Sequence, residues 1–254
     1  MNIQLKLAYN GTLLWGWQKS SHGPSVEALL SSALEQILQH PVTLQAASRT
    51  DRGVHAEGQI VNFFTDRTLN LSTLHFSLNS LLPYSIRVLH VEEKPLTFHP
   101  TSDVVGKEYL YFVCYARWQL PKHSAFSWHF PYPLDIPKMK EAATLLEGTH
   151  DFSAFCNNHP EKEGQEKTCH LFCIKLLPLA GKRLQISVVG DRFLYKMTRN
   201  IVGTLCYVGR GDIAPTDISH ILRGKNRPQA GITAPALGLT LNRVFYNSLE
   251  EYTD

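Results

Sequence analysis

Residues 26–38 read VEALLSSALEQIL, and their spacing decides how the first half of the chain folds. Val26, Leu29, Leu30, Ala33, Leu34, Ile37 and Leu38 recur at helical period, which leaves one face apolar and the other polar. Pro24 stands where a first helical turn tolerates proline, and Pro41 stops the run. Upstream, Ile3-Gln4-Leu5-Lys6-Leu7-Ala8-Tyr9 alternates with period two and reads as a strand. Residues 11–24 form a long loop containing glycines and aromatics. Downstream, 42–47 and 58–64 read as strands, 71–82 as a helix and 86–91 as a strand. The order is β-α-β-β-α-β.

The second half repeats the order without visible similarity of sequence. Residues 107–115, KEYLYFVCY, are a β-rich run, and 137–146 a short helix. Residues 169–177 and 184–189 read as strands either side of Ala180-Gly181-Lys182. A helix follows over 192–208 with Asp191 as its cap, then a helix over 216–222 and a last strand over 239–246. The expectation is an α+β protein of two ferredoxin-like units, 1–105 and 106–254, with antiparallel sheets side by side and a catalytic cleft between them. The polar stretch 157–167, NNHPEKEGQEK, reads as a mobile loop.

Composition narrows the function classes. With 43% hydrophobic and 19% charged residues the 254-residue chain is globular, not disordered. No apolar run approaches the roughly 20 residues that span a bilayer. The start, MNIQLKLAYN, lacks a signal-peptide core, so Asn10-Gly11-Thr12 reads as an Asn-Gly turn, not a glycosylation site. Five cysteines, an odd number without paired spacing, point to reduced thiols in a cytoplasm. Cys156, His159, Cys169, His170 and Cys173 cluster, but their spacing matches no usual zinc finger, and Cys169 and Cys173 fall in a strand-like run where they point to one face. Residues 1–105 carry 7 Lys/Arg against 8 Asp/Glu, and residues 106–254 carry 18 against 14, so positive charge lies in the second half.

There is no phosphate-binding glycine loop, dinucleotide fingerprint, HExxH or nucleophile elbow, so any chemistry is expected to run on side chains alone, without metal or cofactor. In ASRTDRGVHA, residues 47–56, Asp51 stands between Arg49 and Arg52. Opposite charge would favour the ionised carboxylate, which can act as a base or a nucleophile; a turn Asp among surface arginines is the plainer alternative. Trp15 and Trp17 share a glycine-rich loop with Gln18, either to stack on bases or to pack in the core. Lys107, Tyr109 and Tyr111 share a strand face that could hold a base and a phosphate, or belong to the core. Arg192, Lys196 and Arg199 form a basic stripe at helical spacing, for an anionic partner or for solvent.

Together these motifs resemble one family, the TruA-type tRNA pseudouridine synthases. YNGTLLWGWQ is similar to the family's YDGTxFxGWQ, and ASRTDRGVHAEGQIVNF to AGRTDAGVHAxGQVxxF, with Asn10, Ser48 and Arg52 as departures. GKEYLYFV, LEGTHDFSAF, FLYKMTRNIVGTL and ITAPALGLTLNRVFY match further segments in order, while 157–172 matches poorly. The resemblance implies cofactor-independent isomerisation of uridine to pseudouridine in the tRNA anticodon stem-loop, at positions 38–40. It implies Asp51 as the nucleophile or base, Tyr109 stacking on the target base, Arg199 pairing with Asp51, and Arg49 helping to extrude the nucleotide. A cytoplasmic homodimer that grips tRNA is implied as well. An RNA-binding module without catalysis and a zinc-stabilised interaction protein are the competing readings.

Overall fold

The computed structural model describes residues 1–158, 164 and 166–247. The chain is mixed α+β and divides into two compact units, Met1–Val105 with the chain from Thr240 onward, and Gly106–Leu239.

The first unit contains β1 (Asn2–Tyr9), α1 (Val26–Leu38), β2 (Gln45–Ala46), β3 (His55–Phe64), α2 (Leu71–Leu81) and β4 (Ile86–Lys94). β1 lies between β4 and β3, antiparallel to both, with Leu5 opposite Val91 and Val61. β2 pairs with the far end of β3, and β10 (Leu239–Phe245) runs parallel to its start, with Thr240 opposite His55. The alternation in β1 sends Ile3, Leu5 and Leu7 into the core, each fully buried. At its start the other face is buried too, with polar residues, while Lys6 further along is exposed. Asn62 Nδ2 donates to Asn2 Oδ1 at 2.7 Å, and Gln4 Nε2 to Glu92 Oε1 at 2.6 Å.

Ser25, not Pro24, begins α1, because its hydroxyl accepts from Ala28 N–H (3.3 Å). Pro24 instead offers its carbonyl to Trp15 N–H at 2.8 Å. The helix ends before Pro41 is reached, with Gln39 left-handed at φ 58°. β2 is shorter than the apolar run over 42–47, and β3 starts earlier than Gly58.

The second unit contains β5 (Gly106–Cys114), β6 (Trp128–His129), α3 (Ile136–Thr144), β7 (Gly148–Asp151), β8 (Thr168–Leu179), β9 (Arg183–Gly190), α4 (Met197–Arg210) and α5 (Asp217–Gly224). β5, β9, β8 and β7 are neighbours in that order, all antiparallel, and β6 lies beside β5. The β8–β9 turn places Gly181 and Lys182 at φ 76° and 53°.

Two expectations fail here for identifiable reasons. α4 begins at Met197, not Arg192, because Lys196 stands at φ 61° and no right-handed helix passes through it. Asp191 caps nothing; its Oδ1 accepts from His170 N–H (2.9 Å) and Arg192 N–H (2.6 Å). In β8 a bulge between Leu171 and Cys173 inverts the alternation. Cys169 and Leu171 face the core before it and Ile174 and Leu176 after it, so Cys173 does not share the face of Cys169.

Candidate functional site

Asp51 lies in the turn that precedes β3, partly exposed. Val54 N–H donates to Asp51 O (3.1 Å), and Gly53 takes the positive φ, 83°, that such a turn requires at its third position. The turn is built onto the loop over 11–17. Trp17 N–H donates to Thr50 O (3.0 Å) and Gly53 N–H to Leu14 O (3.3 Å). Gly16 stands at φ 85°, and a Cβ there would lie 2.6 Å from Thr50 O and 3.0 Å from the Asp51 carbonyl carbon. A Cβ on Gly11 would lie 2.0 Å from Val54 O. These two glycines allow one backbone to rest directly on the other.

Side chains pin both flanks of the turn. Tyr9 Oη and Thr50 Oγ1 are 2.7 Å apart in a buried hydrogen bond. Fully buried Gln59 donates to Ser48 O (2.6 Å) and accepts from Ser48 N–H (3.3 Å). Gly11 N–H donates to His55 Nδ1 at 3.0 Å. Asn10 Oδ1 accepts from both Thr12 N–H (3.0 Å) and Thr12 Oγ1 (2.6 Å), the capping work an Asp would also do.

The flanking arginines do not pair with Asp51. Among the described residues neither Arg49 nor Arg52 has an ion-pair partner, and both are exposed. Arg52 instead lies over Trp15, with Cζ 3.7 Å from the ring centroid. The two tryptophans divide the alternatives between them: Trp17 is 3% exposed and belongs to the core, whereas Trp15 is partly exposed.

In the second unit Tyr109 sits in β5 opposite Val188, its ring edge-on to Phe193 at 4.9 Å between centroids. Tyr111, two residues on, is a core residue with no exposed surface, and a Cβ on Gly238 would lie 2.6 Å from its ring. Burial pushes the Tyr111 phenol up, with Cys206 adding and Arg199 opposing, so it stays a neutral donor. The shared face of Lys107, Tyr109 and Tyr111 therefore does not present Tyr111 to a ligand.

Arg199 lies in the first turn of α4, and its Nε donates to Ala234 O (2.7 Å) while Ala234 N–H donates to Arg199 O (3.1 Å). Tyr111 Oη donates to the next carbonyl, Pro235 O, at 2.7 Å. α4 and β5 are thus clamped to consecutive carbonyls of one segment. Behind it, Asn200 Oδ1 accepts from Arg227 Nη2 (2.8 Å) and Thr233 Oγ1 (2.7 Å). The motif strings RNIVG and ITAPALG contain Asn200 and Thr233 and could have signalled this network; nothing local marks Arg227. The basic stripe does not exist as one helical face. Arg192 precedes α4 and donates to Thr168 O (3.1 Å), and Lys196 lies over Tyr195.

Among the described residues no three His, Cys, Asp or Glu side chains are placed to hold a metal. His159 of the sequence cluster, and most of the 157–167 loop, lie outside the described residues. The five cysteines are free thiols, and burial pushes Cys169 up to about 11, away from the thiolate that zinc requires. Among the described residues no helix is long and apolar enough to cross a membrane.

A family model described as tRNA pseudouridine synthase matches residues 8–101 and 142–247. The chain is 52% identical over 246 residues to tRNA pseudouridine synthase A 2 of Protochlamydia amoebophila (strain UWE25), covering 96% of this chain and 94% of that protein. It is 40% identical over 250 residues to tRNA pseudouridine synthase A of Bacillus pumilus (strain SAFR-032), covering 98% and 100%. With tRNA pseudouridine synthase A of Thermoanaerobacter sp. (strain X514) the identity is 38% over 247 residues, covering 96% and 99%. A crystal structure of a Cbf5-Nop10-Gar1 complex aligns over 94% of this chain and 48% of that chain, at 14% identity and TM-score 0.37.

Proposed function

The chain belongs to the tRNA pseudouridine synthase family, and from that premise we propose that it isomerises uridine in the anticodon stem-loop of tRNA, with Asp51 starting the reaction. The N1–C1′ bond breaks, the uracil turns, and C5 joins C1′; the proton leaves C5 and N1 regains one. Atoms and electrons balance within the substrate, so no redox partner is needed. Asp51 acts at the sugar, as nucleophile on C1′ or as base. Arg199 pairs with Asp51 and Tyr109 stacks on the extruded base and assists removal of the C5 proton. Arg49 helps the nucleotide leave its stack, a step costing a few kcal/mol. We read both units as ferredoxin-like layers and the enzyme as a cytoplasmic homodimer, following the resemblance.

The observation that carries the assignment of Asp51 is the interlock of its turn with the 11–17 loop, where Gly16 and Gly11 leave no room for a Cβ. A solvated turn Asp needs no such foundation; a carboxylate that must meet a sugar carbon does. Tyr109 is also largely buried, but it keeps 7% of its surface exposed where Tyr111 keeps none, and its ring meets Phe193 edge-on, which suits stacking. The test is pseudouridine formation by Asp51→Asn. The rate is expected below about a thousandth of wild type with tRNA affinity kept within a few-fold. Substantial turnover by Asp51→Asn would sink the role given to Asp51. Binding of tRNA by the wild type without turnover would instead favour a module that lost catalysis.

A further inference from the structure

We propose that Arg52, laid on Trp15, docks a backbone phosphate of the RNA beside the target nucleotide. The proposal rests on the reading of this protein as an enzyme acting on tRNA, and it concerns a residue that the family motif does not supply. The motif that the chain resembles has a small residue at Arg52 and a variable one at Trp15, so the pair is a departure from it.

The geometry of the pair leaves the guanidinium ready for an anion. Its Cζ lies 3.7 Å from the centroid of the Trp15 ring, the separation of face-on contact. A guanidinium that rests by its face keeps its N–H groups in its own plane, directed outward. Among the described residues, nothing accepts a hydrogen bond from them. The fork of donors matches two oxygens of one phosphate, a fit that an ammonium does not reproduce.

The platform is also rigid. Trp15 N–H is bonded to Pro24 O (2.8 Å), and Gly23 lies against the indole edge, where a Cβ would stand 2.2 Å from Nε1. His22 stacks on the same indole at 5.4 Å between centroids. Gly16, the next residue, is locked to the Asp51 turn, with room for no Cβ beside Thr50 O. The arginine has therefore lost much of its rotamer freedom before any ligand arrives, which favours binding.

Position identifies the occupant. Arg52 follows Asp51 directly, and consecutive Cα atoms are about 3.8 Å apart. An anion gripped by Arg52 while Asp51 faces the target sugar belongs to the same stretch of strand. A protein carboxylate could fill the fork equally well in chemical terms, and Asp51 is the nearest in sequence. Arg52 nevertheless turns away from it to Trp15.

The experiment measures tRNA binding over a salt series, and kcat and KM for pseudouridine formation, with full-length wild type, Arg52→Ala, Arg52→Lys and Trp15→Ala. Arg52→Ala is expected to weaken binding about tenfold at low salt and to lower the slope of log Kd against log salt by about 1. The loss falls in KM rather than kcat. Arg52→Lys keeps the slope but binds more weakly than wild type, and Trp15→Ala does the same, because charge remains while the stacked fork is lost. Wild-type affinity and slope in Arg52→Ala overturn the proposal. If kcat then falls, Arg52 positions Asp51 instead; if nothing changes, the pair is only surface. The parent reading fails separately: wild type that binds tRNA without isomerising it loses the enzyme assignment, while its salt slope still reports the Arg52 contact. Wild type that binds no tRNA ends both.

Discussion

Gly16 shows at the scale of one residue how much of this protein is spent on placing Asp51. Its φ of 85° already disfavours any side chain, and the added Cβ would press on a carbonyl that cannot retreat from Trp17 N–H. Gly16→Ala is expected to cost about 1–3 kcal/mol in urea unfolding, with activity falling further than the remaining folded fraction explains. A variant as stable and active as wild type would show that the interlock is dispensable. Tyr111 and Tyr109 make a second contrast. Tyr111→Phe leaves the half-buried Pro235 O without its donor and is expected to lower stability by about 1–2 kcal/mol. Tyr109→Phe keeps the ring and its contact with Phe193, and its loss is expected to be larger in turnover than in unfolding. The sequence named Asp51 and its two arginines correctly as neighbours in the chain, yet could not say where the arginines point. Direction in a turn is set by what packs beside it, here an indole supplied 37 residues earlier by the chain (from Arg52 back to Trp15).

At the scale of elements, what repeats was legible and what does not repeat was not. α1 and α2, each with one buried face, follow from a period of 3.6, and β1 follows from a period of 2 because Ile3, Leu5 and Leu7 all lie on one face. β6 and β7, of two and four residues, are too short to show alternation, and the bulge in β8 reverses a pattern that reads as continuous. The start of α4 escaped for another reason: a left-handed Lys196 leaves no compositional mark. α4 also packs through backbone. A Cβ on Gly203 would lie 1.7 Å from Ile232 O, so Gly203→Ala must push residues 231–234 off the helix. The expected result is a loss of several kcal/mol in a denaturant titration, together with the Arg199–Ala234 contacts. An ion pair ties the end of β7 to the residue after α5, Asp151 Oδ2 to Lys225 Nζ at 2.6 Å. Partial burial raises the Asp151 pKa, but Lys225 and the Ser153 hydrogen bonds outweigh it and hold it below 3.8. A depressed folded pKa gives stability that is present above the unfolded value and is lost as pH falls through the folded one. Asp151→Asn should therefore be the less stable protein at pH 7, and its deficit should shrink as pH drops below about 4. A deficit equal at pH 7 and pH 3 in urea midpoints would contradict the pairing.

At the scale of the whole molecule, charge and connectivity bear on function together. Residues 106–254 hold 18 Lys/Arg against 14 Asp/Glu, a modest excess for a protein that binds RNA. Affinity must then come from placed cations rather than from net charge, and binding should still weaken steeply with salt. The chain leaves the first unit at Val105 and returns to it at Thr240, where β10 lines up with β3. Gly58 makes room for that return, since a Cβ there would lie 2.3 Å from Asn242 O. The motif over 232–246 could be matched from sequence, but its unit could not, because pairing with a strand over 180 residues away has no local signature. The assigned function rests on the reaction itself. Unmodified tRNA transcript, incubated with the purified full-length protein and mapped for pseudouridine at nucleotide resolution, tests it most directly. Pseudouridine is expected only at anticodon stem-loop uridines, present with wild type and absent with Asp51→Asn; tRNA returned unmodified by the wild type would contradict the assignment.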